Sequence, residues 1–215
     1  MTSPAISTAA EYVSAPLIYS GKVRELYDLG EHMLIAVTDR ISAFDYVLKP
    51  AIPGKGKVLN SLSRFWFEQT RHLQANHFVH ADVEKLRGVI NNPDVMKDRV
   101  MVVKKAQRID MECIVRGYIT GSGWREYVQS GTVHGQKLPA GLRKNEKLAE
   151  PIFTPSTKND SGHDENISVE QMADQIGADL TRELMERSLR LYRFAHDVCR
   201  KKGVILADCK LEFGI

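Results

Sequence analysis

The sequence predicts an α+β fold, strand-dominated in its first half and helix-rich in its second. Two observations carry this. Short runs of aliphatic and β-branched residues bounded by glycine and aspartate recur between Lys22 and Arg116. A long apolar stripe of helical spacing follows Ser168. Strands followed by helices, rather than strict alternation, argue against a doubly wound parallel sheet.

Lys22–Tyr27 and Met33–Val37 read as strands within a hairpin spanning 17–28 and 32–38. A turn around Asp28-Leu29-Gly30-Glu31 joins them, and Gly21 stands at the start of the first strand. The segment before about Leu17 is expected to fray. Pro53-Gly-Lys-Gly-Lys57 reads as a mobile basic loop or a plain turn. Asn60–Gln74 is a predicted helix, with Asn60 as its cap and Leu62, Phe65, Trp66 and Leu73 as its apolar face.

Arg99–Lys104 and Asp110–Arg116 are two further strands, and a short helix follows Ser122 and stops at Gly131. Glu150–Ser168 carries Pro151, Pro155 and Gly162 among charged and hydroxyl side chains, punctuation too dense for a helix or a central strand. Ser168-Val-Glu-Gln171 is a capping box. Leu184, Leu191, Ala195 and Val198 mark a long helix; Lys201 and Lys202 suit its C-terminal dipole, and Gly203 its left-handed cap. The segment from Ile205 to Phe213 closes the chain as a strand. No sharp compositional boundary exists, and the expected domains are 1–110 and 111–215.

With 43% hydrophobic and 27% charged residues over 215 positions, the chain reads as an ordinary soluble globular protein. The net charge of +3 arises from 30 basic and 27 acidic residues without a dense Lys/Arg block. That excludes a nucleic-acid partner but not an anionic small molecule. Cys113, Cys199 and Cys209 are odd in number and lack CxxC spacing, which fits neither a disulfide framework nor a zinc site and points to the cytoplasm. No apolar run reaches the length of a membrane span, and Met1–Ala10 lacks the basic start and apolar stretch of a signal peptide. The seven histidines form no metal-ligand pattern, and nothing in the sequence specifies an oligomeric state.

The candidate chemistry lies in separated clusters. From Asp208 onward the last strand alternates, so Asp208, Lys210 and Glu212 share one face and Cys209, Leu211 and Phe213 the other. Two carboxylates flanking an ammonium can hold a divalent ion beside a phosphate; a solvent face with ordinary salt pairing gives the same pattern. Gly21-Lys-Val-Arg24 places a glycine and two cations at a strand start, where backbone can approach a phosphate. In Glu112-Cys-Ile-Val-Arg116-Gly117, Glu112 and Arg116 share a strand face. Ser122, in Thr120-Gly-Ser-Gly123, sits at a helix start, so arginine and free N–H groups make a phosphate site, or equally a capped helix beside an ion pair. Thr38-Asp-Arg-Ile-Ser-Ala-Phe-Asp45 adds acids, a base and a hydroxyl just after a strand.

Together with Ile52-Pro-Gly-Lys-Gly56, Glu150–Ser168 and Ile205–Gly214, these motifs occur in the order seen in the SAICAR synthetase family, which the chain resembles from about Leu17 to Ile215. The resemblance implies ATP- and Mg2+-dependent joining of L-aspartate to the carboxylate of carboxyaminoimidazole ribotide (CAIR), giving SAICAR, ADP and phosphate in de novo purine biosynthesis. It implies an N-terminal antiparallel lobe like a kinase small lobe over ATP, a second α+β, ATP-grasp-like lobe, and a cleft between them. By motif, Gly21, Lys22, Val23 and Arg24 would meet the ATP phosphates, and Met111 would end a hinge (105–111) beside adenine. Glu212 would ligate magnesium, with Asp208 and Lys210 beside the transferred phosphoryl group. Arg116 and Ser122 would hold the ribotide phosphate, Ser42 and Asp45 the imidazole carboxylate side, and Lys158 and Asp164 would organise CAIR and aspartate. A protein kinase would need His-Arg-Asp and Asp-Phe-Gly signatures, and the chain has neither. Family members continue beyond Leu-Glu-Phe-Gly with a strand and an acidic turn, so the expectation is a C-terminally shortened form. Its second lobe would be incomplete and the edge of its last strand open. A non-catalytic or impaired nucleotide-binding module is the alternative.

Overall fold

The computed structural model describes residues 5–43, 46–158 and 164–215. The chain is α+β and divides into two compact units, Met1–Ala106 and Gln107–Ile215.

In the first unit, strands β1 (Leu17–Ser20), β2 (Arg24–Leu29) and β3 (His32–Val37) are followed by the short hairpin β4 (Ile41–Ala43) and β5 (Tyr46–Leu48). Helix α1 (Lys55–Thr70), β6 (Phe78–His80), a 3-10 turn at Val83–Leu86, α2 (Pro93–Met96) and β7 (Val100–Lys104) complete it. The main sheet is antiparallel, in the order β1-β2-β3-β7-β6. The β2–β3 turn is the predicted one, with Leu29 opposite His32. Period-two alternation sends Tyr27, Leu34, Ala36, Val100 and Val102 to one face, and Ile35, Val37, Met101 and Val103 to the other.

Residues 5–16 do not fray as expected. Ala9 and Val13 are buried against the first of those faces, and the Ala9 N–H donates to Glu25 Oε2 at 2.8 Å. Ile6 and Asp39 exchange two hydrogen bonds, an N–H to Asp39 Oδ2 at 2.9 Å and the Asp39 N–H to the Ile6 carbonyl at 2.7 Å. The apolar residues of the segment are mostly alanines, with Ile6, Tyr12 and Val13 its large ones, and they follow no strand or helix period that would announce it locally, but the sheet needs a cover.

Of the basic stretch 53–57, Pro53 and Gly54 form a turn, one of the two expected readings, but Lys55, Gly56 and Lys57 already belong to α1. Gly56 explains why. A Cβ there would lie 2.4 Å from the Val37 carbonyl oxygen and 2.8 Å from that of Thr38, so only glycine lets the helix come this close to β3. The Gly56 N–H donates to Asp39 Oδ1 at 2.8 Å. Asn60 is therefore an interior residue, 1% exposed, whose amide donates to the Val100 carbonyl at 3.1 Å. The helix buries Gly56 and Asn60 and packs Phe67 on the sheet, while Leu62 and Phe65 of the expected apolar face are exposed.

The second unit is organised around strand β8 (Met111–Tyr118), after which come α3 (Gly121–Ser130), β9 (Thr132–Val133), β10 (Gln136–Lys137), β11 (Lys147–Phe153) and β12 (Ser156–Thr157). Helices α4 (Val169–Ile176) and α5 (Ala178–Lys201) then lead to β13 (Asp208–Leu211). Arg116 and Val115 pair with Ile152 and Phe153 of β11 and with Asp208 and Cys209 of β13, so these strands lie on opposite edges of β8. β12 continues from β11 to pair with Met111 and Glu112. Among the described residues no strand pairs with the far edge of β13.

Residues 150–153 thus belong to a strand rather than to a loop; Pro151, which cannot donate to a ladder, falls where the β11 register shifts. The capping box at Ser168 and Gln171 forms in full, and Gly131 and Gly203 take positive φ at the predicted helix ends. One face of β8 sends Met111, Cys113 and Val115 into a core with Met172, Leu184 and Tyr192 of the helices. At Gly117 a Cβ would lie 1.8 Å from the Tyr192 hydroxyl, so the helix approaches to van der Waals contact only because no side chain intervenes. No helix among the described residues is long and apolar enough to cross a membrane.

Candidate active site

The face of β8 opposite the helices carries Glu112, Ile114 and Arg116. The β13 register places Lys210 opposite Ile114 and Asp208 opposite Arg116. The expected alternation of the last strand holds: Asp208, Lys210 and Glu212 are exposed, whereas Cys209, Leu211 and Phe213 pack toward the core.

Glu112, 2% exposed, is the hub of this face. Its Oε1 accepts from Lys158 Nζ at 2.8 Å and its Oε2 from Lys210 Nζ. Lys158 Nζ also donates to Glu212 Oε1 at 3.1 Å. The four groups form a chain of alternating charge drawn from β8, β13, the residue after β13 and the residue after β12. Burial alone would push the Glu112 carboxyl up, but the two ammonium hydrogen bonds outweigh it and hold it below its ordinary value of 4.5. The same pairing, opposed by burial, raises Lys158 above its ordinary value.

Four residues along β8 from Glu112 and on the same face, Arg116 donates from Nε to Thr154 Oγ1 at 3.1 Å and from Nη2 to Ser122 Oγ at 3.2 Å; its Nη1 lies 4.0 Å from Asp208 Oδ2. Burial lowers the Arg116 pKa, with Asp208 and Glu126 opposing. Ser122 lies in the first turn of α3, where Thr120 offers no side-chain cap, so first-turn N–H groups lack an intrahelical acceptor. An open groove of about 510 Å³ begins at Ser122 and runs past Arg125, Glu126, His134 and Gln171.

In the first unit, Gly21, Lys22 and Val23 form the tight connection between β1 and β2 rather than the start of a strand, closed by the Gly21 N–H on the Arg24 carbonyl at 2.8 Å. Lys22 and Arg24 consequently do not share a strand face as expected; only Arg24 is in the strand, and both side chains are exposed. The turn is pinned from β3's far end. Thr38 donates to the Val23 carbonyl from its N–H at 3.0 Å and from its hydroxyl at 2.9 Å, and Arg40 Nη2 donates to the Gly21 carbonyl at 2.9 Å. Between them, Asp39 forms a two-point ion pair with Arg99, at 2.6 and 2.9 Å, with side chains 0% and 2% exposed. Burial opposes ionisation of Asp39, but the guanidinium and the N–H groups of Ile6 and Gly56 outweigh it and lower its pKa.

The structure therefore gathers Arg116, Ser122 and Asp208, and next to them Lys158, Lys210 and Glu212. Gly21–Arg24 and Ser42, half-buried in β4, lie in the other unit. Met111 is 3% exposed with its side chain in the core, its N–H donates to the Ile109 carbonyl at 2.7 Å, and it pairs with Thr157 of β12. Asp164 is exposed one residue before Glu165, whose N–H and carbonyl pair with Thr157. Asp45 lies outside the described residues. The hub carboxylate Glu112 and the partners Thr154, Thr38 and Arg40 were not singled out as site residues. For Glu112 the signal was available, a charged residue at the same strand parity as Arg116 inside an apolar run. Among the described residues no group of three or more His, Cys, Asp or Glu is arranged to hold a metal ion alone.

The sequence profile of SAICAR synthetase matches residues 17–215. The chain is 45% identical over 206 residues to the phosphoribosylaminoimidazole-succinocarboxamide synthase of Elusimicrobium minutum, covering 94% of this chain and 70% of that one. Among solved structures it is similar to the SAICAR synthase of Saccharomyces cerevisiae complexed with SAICAR, with TM-score 0.83 and 43% identity over 94% of this chain and 69% of that one. It is also similar to a type-2 SAICAR synthetase in complex with ADP, with TM-score 0.73 and 27% identity over 93% of this chain and 75% of that one. The chain belongs to the SAICAR synthetase family.

Proposed function

We propose that this protein is an ATP-dependent carbon–nitrogen ligase that joins L-aspartate to the carboxylate of CAIR, forming SAICAR, ADP and phosphate in purine biosynthesis. The observation that carries the reading is the polar face of β8 and β13. There an arginine–hydroxyl pair at a helix start adjoins a chain of two ammoniums and two carboxylates.

The chemistry needs such a face. A carboxylate resists attack by an amine until one of its oxygens becomes a leaving group, and phosphorylation by ATP supplies one. Aspartate's amine then attacks the carbonyl carbon, and phosphate departs with that oxygen. Little covalent work falls to the protein, so positioning and charge neutralisation dominate. Arg116, Ser122 and the first-turn N–H groups of α3 suit the ribotide phosphate. Lys210 and Lys158, each an ammonium with three donors, spend one or two on carboxylates and keep others for oxygens of the transferred phosphoryl group and the CAIR carboxylate. By motif, Asp208 would flank the transferred phosphoryl group, Ser42 would meet the imidazole carboxylate side of CAIR, and Asp164 would organise CAIR and aspartate. In the first unit, Gly21, Lys22, Val23 and Arg24 would meet the nucleotide phosphates, and the segment 105–111, which ends at Met111, would lie beside adenine.

The donor set fits magnesium of one kind. With no three-donor cage among the described residues, Glu212 would hold the ion by one carboxylate, the remaining positions falling to nucleotide phosphate and water. Bound there, magnesium would neutralise phosphate charge. Three free cysteines accord with a reducing, cytoplasmic setting.

The test is product analysis with CAIR, L-aspartate, ATP and Mg2+ omitted one at a time. SAICAR and ADP in equal amounts, only from the complete mixture, are expected. ADP release indifferent to CAIR and aspartate would instead identify a nucleotide-hydrolysing or nucleotide-binding module.

A further inference from the structure

We infer that His134 is a positioning residue for the loop carrying Lys158, wedged between the two ends of that loop so that Lys158 is held at Glu112 and Glu212. The kinetic part of this inference rests on the function proposed above; the structural part does not.

His134 and Gly135 form the two-residue connection between β9 and β10, with φ of 48° and 78°. Both values are positive, as a type I′ hairpin requires. Such a turn is a narrow, rigid wedge, and here it drives into the second unit's interior: His134 is 4% exposed. Two hydrogen bonds fix it, and a close approach flanks it. The His134 N–H donates to Glu126 Oε1 on α3 at 2.6 Å. The ring Nδ1 lies 2.8 Å from the Pro155 carbonyl oxygen, at the loop's outgoing end. A Cβ on Gly135 would lie 3.3 Å from Ser168 Cβ, at the returning end, where Ser168 caps α4.

The described residues at the two ends pair with each other. The Ile167 N–H donates to the Pro155 carbonyl at 3.2 Å, and Ser156 bridges Asn166. The Thr157 N–H donates to the Glu165 carbonyl at 2.9 Å, and the Glu165 N–H to Thr157 Oγ1 at 3.0 Å. The Pro155 carbonyl therefore takes one hydrogen bond from the returning strand and one from His134. Because a carbonyl only accepts, Nδ1 carries a proton, and burial lowers the His134 pKa below its ordinary value, opposed by the Pro155 hydrogen bond.

Lys158 is three residues from Pro155, and its ammonium meets Glu112 and Glu212 at 2.8 and 3.1 Å. Ser156 and Thr157 pair with Glu112 and Met111 of β8, and the Lys158 N–H donates to the Asp110 carbonyl at 3.0 Å, so His134 shares the anchoring of Lys158 with that ladder; losing the Pro155 bond removes the tie at its outgoing end and loosens both ammonium contacts. Glu126 belongs to α3, the helix whose first turn holds Ser122, so the same wedge ties the loop to the arginine–hydroxyl pair. His134 shows no hydrogen bond to the charged chain itself, which makes it a positioning residue rather than a catalytic one.

Substitutions separate this from plain packing. Asparagine tolerates positive φ and can place an amide N–H near Nδ1, whereas glutamine reaches toward Nε2 and alanine offers no donor. In H134A and H134Q, amide exchange at Thr157, Glu165 and Ile167 should accelerate while β8 amides keep wild-type protection. H134N should restore the loop. In SAICAR formation, kcat should fall about tenfold or more in H134A and H134Q with the KM for ATP unchanged, and H134N should recover most of it. Unchanged loop exchange in H134A and H134Q, or loop exchange in H134N as fast as in them, would overturn the inference. Should wild type make no SAICAR, the proposed function falls and the exchange comparison still decides the role of His134. If H134A fails to fold, the H134Q and H134N pair carries the same comparison.

Discussion

Lys158 Nζ donates to Glu112 Oε1 at 2.8 Å, joining the residue just after β12 to the first residue on the polar face of β8. These residues are 46 apart in sequence, and the second lysine on Glu112, Lys210, is 98 away. One carboxylate thus sets the position of two ammoniums from different elements, and each proposed phosphoryl-side role depends on it.

Glu112→Gln should lower kcat for SAICAR formation by about a hundredfold, since both ammoniums lose their charged anchor. Loss of charged hydrogen bonds at a buried carboxylate should cost about 2 kcal/mol in urea unfolding, a figure kept low because Lys210 is half in solvent. The pH dependence gives an independent reading. Glu112 is depressed in the folded protein, so its contribution is complete above the ordinary value of 4.5 and is lost as pH falls through the lower folded value. The stability difference between wild type and Glu112→Gln should shrink through that acid range and stay flat above pH about 6. A constant difference across the range would refute the assignment.

Arg116→Lys keeps the charge but cannot reach Thr154 and Ser122 with a planar fork. The KM for CAIR should rise about tenfold, with the KM for ATP within twofold of wild type. Equal increases for both substrates would place Arg116 elsewhere in the reaction.

Thr38→Val deletes the hydroxyl that holds the Val23 carbonyl and receives Arg40 Nε at 3.1 Å. It should raise the KM for ATP about fivefold and cost about 1 kcal/mol, with Thr38→Ser near wild type. An unaltered KM for ATP would detach the Gly21–Arg24 turn from nucleotide binding.

Legibility from sequence followed the range of the interactions. The alternation of Asp208, Lys210 and Glu212, the Ser168 capping box and the β2–β3 turn are decided within a few residues, and each is found as expected. Asn60 misled because a local cap signal competes poorly with a tie 40 residues away: its amide is committed to Val100. Arg116 and Ser122 were readable as neighbours only six residues apart. Thr38-Asp39-Arg40 was legible only as polar residues just after a strand, yet it pins the Gly21 turn and buries an ion pair with Arg99, 60 residues on. Nothing in the composition of 5–16 foretold that it would cover a sheet.

Asp39→Asn tests that structural share directly. Leaving Arg99 buried without its carboxylate should cost about 4 kcal/mol in urea unfolding. A loss below about 1 kcal/mol would show that the pair does not organise β3 and α1.

The central claim is that the carboxylate of CAIR is activated by phosphoryl transfer from ATP. The direct measurement is turnover of CAIR labelled with oxygen-18 in that carboxylate, followed by mass analysis of the phosphate released. One labelled oxygen per phosphate is the predicted result, because phosphate must leave carrying the carboxylate oxygen it captured. SAICAR formed alongside unlabelled phosphate would contradict the account.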